Sequence, residues 1–291
     1  VRLMRIVSWN IQWARGIDGR VCPERIATYL RALDADIICL QEVADGMADL
    51  PGADARDQFA VFAGLLAHYH LVEGASVETF TDAGGRRRFG NAILSRLPVL
   101  FVRRHALPWC ADGAQSMPRL LLEIVVHTPS GALRIMTTHL EYFSRSARAA
   151  QLRSVRKIIE EACARAVLPP LVSAGPYAMV PQTDASVLAG DFNMPPSDPL
   201  WDEFSMAGAN ALRDAWRLVH DRPHPPSFCI ADATYGDPHC SDFVLVSESL
   251  APRVQAVYYD VETRLSDHQP VFVDIAGGLG TGSSVVRETE P

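Results

Sequence analysis

The chain has 291 residues and a formal charge of −7, from 27 Lys and Arg against 34 Asp and Glu, with 48% hydrophobic and 21% charged residues. These proportions belong to a globular protein and exclude a disordered or collagen-like one. At about 150 residues per domain the length allows two domains, although large α/β folds exceed that figure as one. The acidic balance argues against gripping nucleic acid through a broad basic surface, but not against placing a divalent cation between protein and phosphate.

No apolar run approaches the roughly 18 to 20 residues of a membrane span. Val1-Arg2-Leu3-Met4-Arg5 runs into a strand-like segment without the apolar stretch of a secretion signal. Cys22, Cys39, Cys110, Cys163, Cys229 and Cys240 are scattered and form no C-x-x-C pair. Reduced thiols in a cytoplasmic protein are the expectation, with Cys39 and Cys163 in the core.

In chain order, Arg5–Trp9 reads as a strand, and Pro23–Leu33 as a helix with Pro23 at its first position and Ile26, Leu30 and Leu33 at helical spacing. A strand at Asp36–Leu40 and a helix at Gln58–His68 follow. Strand patterns then cover Leu71–Val72, Asn91–Leu94, Pro98–His105, Leu120–His127 and Leu133–Thr138, the last two joined as a hairpin by Thr128-Pro129-Ser130-Gly131. Ser146–Ala166 is the strongest helix, with Ala149, Leu152, Val155, Ile159 and Ala162 on one apolar face. Residues 168–185 read as a loop and Val187–Ala189 as a buried strand. A short helix through Phe204 has Asp198 as N-cap and Pro199 at its first position. Phe243–Val246, Val254–Val261 and Val271–Ile275 complete the strands. No repeat or linker divides the chain, so residues 1–276 are expected as one domain and 277–291 as a flexible Gly/Ser-rich tail.

Several apolar strands end on an unusual polar residue: Asn10, Gln41-Glu42, His139, and Asp191-Phe192-Asn193. Two others begin after one: Asp242 precedes Phe243–Val246, and Asp267-His268 precedes Val271–Ile275. If the last two strands run opposite to the others, all these groups meet at one rim, where a rigid scaffold presents a site to solvent. Carboxylates gathered there repel unless a proton or a hard cation offsets them. Magnesium suits such an oxygen-rich set; zinc is disfavoured because close His/His or Cys/Cys spacing is missing. The amides and imidazoles can donate to a phosphate oxygen, so metal-assisted hydrolysis of a phosphoester is the expected chemistry.

The segments Ser8-Trp9-Asn10-Ile11, Gln41-Glu42-Val43, Gly90-Asn91-Ala92-Ile93-Leu94-Ser95, Thr138-His139-Leu140-Glu141, Gly190-Asp191-Phe192-Asn193 and Ser266-Asp267-His268 occur in one order along the chain. In that order they resemble the endonuclease/exonuclease/phosphatase superfamily of DNase I-like, metal-dependent phosphoesterases, from about Arg5 to Ile275. The resemblance implies an α/β (α+β) four-layer sandwich of two mixed β-sheets flanked by helices. It also implies that Glu42 ligates Mg²⁺ (Mn²⁺ as a substitute), with Asn10 nearby and Asp267 contributing. Asp191 would activate the attacking water, Asn193 position it, His139 and His268 contact the phosphate, and Asp242 orient His268. Relatives often carry a basic-Ile-Asp-Tyr pattern where this chain has Cys240-Ser241-Asp242-Phe243, which leaves local substrate contacts open.

Asn91, Arg119 and Arg145 are further candidates for substrate binding, and Arg148 stands beside Arg145 as a possible phosphate contact or a helix-start surface residue. Arg86-Arg87-Arg88 could reach a polyanionic substrate, but after Gly84-Gly85 it reads rather as a flexible solvated loop. Trp109, Tyr177 and Trp201 are either pocket-lining or ordinary packing aromatics. His239-Cys240-x-Asp242 looks zinc-like in isolation, but Asp242 has a better place. The expected substrate is a phosphoester: a small molecule, a lipid headgroup or, as the alternative, nucleic acid cut by an endo- or exonuclease. A noncatalytic binding protein with a retained site is the outside alternative. No obligate protein partner is evident.

Overall fold

The computed structural model describes residues 3–178, 180–204, 211–231 and 233–277. Twelve strands form two mixed sheets of six among these residues. The first sheet contains β1 (Leu3–Asn10), β2 (Ile37–Asp45), β3 (His70–Phe80), β4 (Arg86–Ser95), β11 (Val254–Tyr259) and β12 (Val271–Ala276), in the order β11-β12-β1-β2-β4-β3. The second contains β5 (Val99–Ala106), β6 (Leu120–Thr128), β7 (Gly131–His139), β8 (Ser186–Asp191), β9 (Leu212–Asp214) and β10 (Asp242–Ser247), in the order β5-β6-β7-β8-β10-β9.

Consecutive strand residues serve different layers because strand side chains alternate between faces. Ile6, Ile37, Ile93 and Val273 meet Leu122, Ile135, Val187 and Val244 between the sheets. Their neighbours Val7 and Ile38 pack outward on α1 (Pro23–Leu33) and α2 (Gln58–Leu65) through Ile26, Leu30, Phe59 and Phe62. On the other side Leu121 and Leu188 pack on α3 (Arg145–Val167) and α4 (Leu200–Phe204) through Leu152, Val155, Ile159 and Leu200. Helix, sheet, sheet, helix is the four-layer sandwich. Strands covered on both faces explain the continuous apolar runs in the sequence. No described helix is long and apolar enough to cross a membrane, and none of the six cysteines forms a disulfide. Cys39 is buried, whereas Cys163 is only partly so.

Most expected elements are present, with shifted ends. The helix at Pro23–Leu33 has the expected bounds, and α3 begins one residue early because the Ser144 side chain caps the Ala147 N–H. The helix expected to reach His68 stops at Leu65, and β11 stops at Tyr259. The hairpin turns tightly, with Thr128 paired to Gly131. The Arg86–Arg88 run is not a loop: it opens β4, and each arginine is ion-paired. Arg86 pairs with Glu78 and Arg87 with Asp49, while Arg88 is 4% exposed among Asp45, Glu73 and Asp57. β9 and the short α5 (Ala215–Val219) carry no strong period and were not expected. Beyond Gly277 itself, the expected tail lies outside the described residues.

Strands β7 and β8 are parallel and bring Thr138 beside Gly190 and His139 beside Asp191. Gly190 has φ 153°, and a Cβ there would overlap the carbonyl oxygen of Thr138. Glycine is therefore what lets the two strands close at this rim. Gly190→Ala should cost about 1 to 3 kcal/mol or more, the range of overpacking against unyielding backbone. The urea midpoint should fall accordingly, and an unchanged midpoint would refute the close-approach argument.

Candidate active site

β1 pairs in parallel with β2 and antiparallel with β12; β8 pairs in parallel with β7 and antiparallel with β10. The last two strands thus do run opposite, and the ends of β1, β7 and β8 share a rim with the starts of β10 and β12. Asp191 lies opposite both His139 and Asp242. β2 does not end at Leu40, as its apolar run suggested. It continues to Asp45 through a bulge between Leu40 and Val43, with Glu42 at φ 59°. A bulge re-aims side chains. Gln41 turns between the sheets, donating to Thr137 Oγ1 at 2.9 Å, and Glu42 faces the rim cavity. Gln12, Trp13 and Asn193 also hold positive φ and also line that cavity. Backbone strain of this kind persists where a site over-determines it.

The amide of Asn10 donates to Glu42 Oε1 and to Asp191 Oδ2, both at 3.0 Å. Gln12 Nε2 donates to Asp267 Oδ2 at 2.7 Å, and Ser266 Oγ to Asp267 Oδ1 at 3.3 Å. His268 Nδ1 bonds Asp242 Oδ2 at 2.8 Å, and Ser227 Oγ donates to the same oxygen at 2.7 Å. The other ring nitrogen of His268 lies 3.6 Å from Asp191 Oδ2. His139 Nε2 stands 3.5 Å from Asp191 Oδ2 and 3.9 Å from Glu42 Oε1. The Asn193 N–H donates to Asp191 Oδ1 at 2.9 Å, and its side chain to the Leu140 carbonyl at 2.8 Å. Phe228 stacks on the His268 ring, with centroids 4.3 Å apart. The open cavity lined by Glu42, His139, Asp191, Phe228, Asp267 and His268 measures about 290 Å³.

Burial and charge set the protonation states. Burial, with the charge of Asp267, pushes Glu42 up to about 7. Burial pushes Asp191 up to about 6, held from rising further by His268. Asp267 is also raised, by burial first. His139 falls well below its ordinary value through burial and the charges of Arg119 and His268, so its ring is neutral. His268 goes the other way: burial opposes its charge, but Asp242, Asp191 and Asp267 outweigh that, and the ring is an imidazolium.

Asp191, Asp242 and His268 offer ligand atoms within 4.8 Å of one another. His268 Nδ1 and Asp242 Oδ2 already bond each other, so this trio is an acid–base pair with an orienting carboxylate more readily than a cation cage. Glu42 and Asp267 provide oxygen donors only, whereas Asn10 Oδ1 accepts the Gln12 N–H at 3.1 Å, and burial raises the affinity of both carboxylates for protons. That donor chemistry suits a hard divalent cation.

Among the substrate-binding candidates, Arg119 lines the cavity. It is 6% exposed, donates through Nε to Glu141 Oε2 at 3.4 Å, and has a buried Nη1 without a hydrogen-bond partner. Asn91 is buried with its amide toward the Leu120 carbonyl at 3.5 Å, and Arg145 is paired with Asp198 at 3.5 Å; neither lines the cavity. Arg148 is buried and donates to the carbonyls of Glu141 and Tyr142, so it is a loop anchor. Trp109 and Tyr177 are exposed, and Trp201 packs on Phe192 and Phe243; none of the three lines the cavity. Sequence reasoning missed Gln12, Glu141, Ser227 and Phe228. The first two stand two residues beyond Asn10 and His139, a usable signal. Ser227 and Phe228 sit in a Pro-rich loop and meet His268 and Asp242 only through the fold.

A family model described as Endonuclease/Exonuclease/phosphatase family matches residues 7–268, from β1 through His268. The chain belongs to that family. A solved endonuclease/exonuclease/phosphatase from Beutenbergia cavernae DSM 12333 is 26% identical, with a TM-score of 0.71 over 96% of this chain and 72% of that one. A mannosyl-6-phosphatase from Bacteroides thetaiotaomicron VPI-5482 aligns at 17% identity and TM-score 0.68, over 94% of this chain and 99% of its own. D. rerio TDP2, complexed with a single-strand DNA product, aligns at 19% identity and TM-score 0.65, over 95% and 100%. The latter two share the family fold with this chain. No curated protein matches the sequence.

The shifted carboxylates have a consequence for stability. With divalent cations chelated, folded Glu42 holds its proton more tightly than the unfolded chain, whose ordinary value is 4.5. Its stabilising contribution is present below about 4.5 and is lost as pH rises through about 7. Glu42→Gln should therefore gain stability relative to wild type between pH 5 and pH 8, read as the difference in urea midpoints. A difference that stays constant over that range would contradict the assigned shift.

Proposed function

We propose that this protein is a divalent-metal-dependent phosphoric ester hydrolase, with residues 1–276 as its endonuclease/exonuclease/phosphatase domain. The observation that carries this reading is the meeting of Glu42, Asp191 and Asp267 with the imidazoles of His139 and His268 around one small cavity. Asp242 orients His268 from behind.

Glu42 and Asp267, supported by Asn10 and Gln12, would hold Mg²⁺, for which Mn²⁺ can substitute. When bound, the cation would offset the carboxylates and neutralise charge developing on the phosphoryl group. Asp191, with an affinity for protons near neutral pH, is suited to accept the proton of the attacking water. Asn193 and Asn10 keep its two oxygens oriented. Attack on phosphorus adds negative charge to the nonbridging oxygens. His268, held cationic by Asp242, and neutral His139, through one N–H, are placed to donate to them. Arg119, with its unpartnered Nη1, would contact the same phosphate.

A small phosphoester suits the cavity better than a nucleic acid. Arg119 is the only Lys or Arg among the described residues lining it, whereas a polyanion is held by several cationic contacts. The net charge points the same way.

Hydrolysis of a generic aryl phosphodiester should require Mg²⁺ or Mn²⁺ and stop in EDTA; full activity in EDTA would remove the metal from the proposal. Asp191→Asn and His268→Ala should each lower turnover by at least about 10², the scale of a lost acid–base or electrostatic group. Wild-type rates in a folded variant would reject that residue's role. In a panel of nucleotide diesters, inositol phosphates, sphingomyelin, abasic DNA and plasmid DNA, the small esters should turn over fastest. Preferential cleavage of DNA would favour the nuclease alternative.

A further inference from the structure

One wall of the cavity is built from aromatic rings in continuous contact. Phe228 lies on His268, with planes 25° apart, and Tyr235 lies nearly parallel to Phe228 at 24° and 6.1 Å. Tyr142 meets Tyr235 edge-on at 6.2 Å, and Phe143 meets Tyr142 edge-on at 4.9 Å. The ladder leads from the reacting centre to the mouth, where Phe143 is 54% and Tyr235 56% exposed. Large rings left in water beside a cavity mark a binding surface rather than core.

This wall is held rigidly from behind. Glu141 Oε1 accepts the backbone N–H groups of Tyr142 at 2.9 Å and Phe143 at 3.1 Å. Arg148 Nη1 donates to the carbonyls of Glu141 at 2.7 Å and Tyr142 at 2.9 Å. A buried carboxylate and a buried guanidinium thus fix a short loop that presents the half-buried Tyr142 and the exposed Phe143. Fixing a contact surface beforehand lowers the ordering cost of binding.

The geometry points to this wall as a subsite for a flat unsaturated ring carried on the phosphate of the substrate, an inference that rests on the phosphoesterase reading. The volume of about 290 Å³ sits at the lower edge of the roughly 300–1,000 Å³ of small-molecule sites, room for a phosphate and a ring. Aromatic faces and edges attract planar rings beyond what apolar area alone provides. A long acyl chain would need an extended apolar groove. The one lined by Leu3, Leu97, Leu133 and Leu250 is fed by the opposite ends of β1 and β7. The ring could be an aryl group or a nucleobase.

The test is calorimetric titration of the full chain with Mg²⁺, using inorganic phosphate, methylphosphonate, cyclohexylphosphonate, phenylphosphonate and adenosine monophosphate. Phenylphosphonate should bind at least about fivefold more tightly than methylphosphonate, with cyclohexylphosphonate weaker than phenylphosphonate, as expected of ring stacking. In the Phe143→Ala, Tyr235→Ala double variant, whose altered side chains are exposed, phosphate binding should persist while the phenyl-to-methyl ratio falls to near one. Tighter binding of adenosine monophosphate than of phenylphosphonate identifies a nucleobase, and the reverse an aryl group. Equal affinity for methyl, cyclohexyl and phenyl groups, or a ratio that survives the double substitution, overturns the subsite and leaves the phosphoesterase reading intact. Failure of wild type to bind phosphate and every phosphonate overturns both.

Discussion

The amide of Asn10 bridges the two sheets where the chemistry is concentrated. Asn10 ends β1 in the first sheet, and its Nδ2 donates to Glu42 beside it and to Asp191 across the interface. Both acceptors are carboxylates that burial drives toward the protonated form. The packing of two apolar sheet faces brings acidic strand ends together, and their repulsion must be offset. Asn10, Gln12, Ser227 and Ser266 supply neutral donors for part of it, and His268 supplies a positive charge. The remainder is what a bound cation, as proposed, would offset.

The two histidines show how position decides role. Both are buried and both face Asp191, yet burial with nearby positive charge leaves His139 neutral while three carboxylates keep His268 charged. Asp242 contributes most of the three: its carboxylate bonds one ring nitrogen of His268 and leaves the other toward Asp191. A neutral and a cationic imidazole facing one small volume can serve one phosphate with different donors. The aromatic ladder starting at Phe228 then gives that volume a direction, from the imidazolium out to Phe143 and Tyr235.

Much of the scaffold was legible because layers impose period. Residues buried between sheets and residues under helices must alternate along a strand, so β1, β2, β6, β7 and β8 announced themselves as apolar runs, and α1 and α3 as helical stripes. The misses have physical causes as well. The Arg86–Arg88 run looked like a solvated loop because it follows Gly84-Gly85; Asp45, Asp57 and Glu73, distant in sequence, neutralise Arg88 in the strand. β9 and α5 are too short to show a period. Arg145 and Asn91 carried suitable chemistry, but their partners lie outside the cavity.

The sequence by itself determined the strand ends at which carboxylates, amides and imidazoles occur, and their family order, because motifs of a few residues are local. It also determined that Gly190 precedes Asp191, which permits the close approach of β7 and β8. Tertiary structure alone decided the rest. Strand direction set which ends share a rim, and the bulge in β2 turned Glu42 toward the cavity. Long-range contacts placed Ser227 on Asp242 and Phe228 on His268. Protonation states were likewise decided there, since burial and the charges of distant residues exist only once the chain has folded.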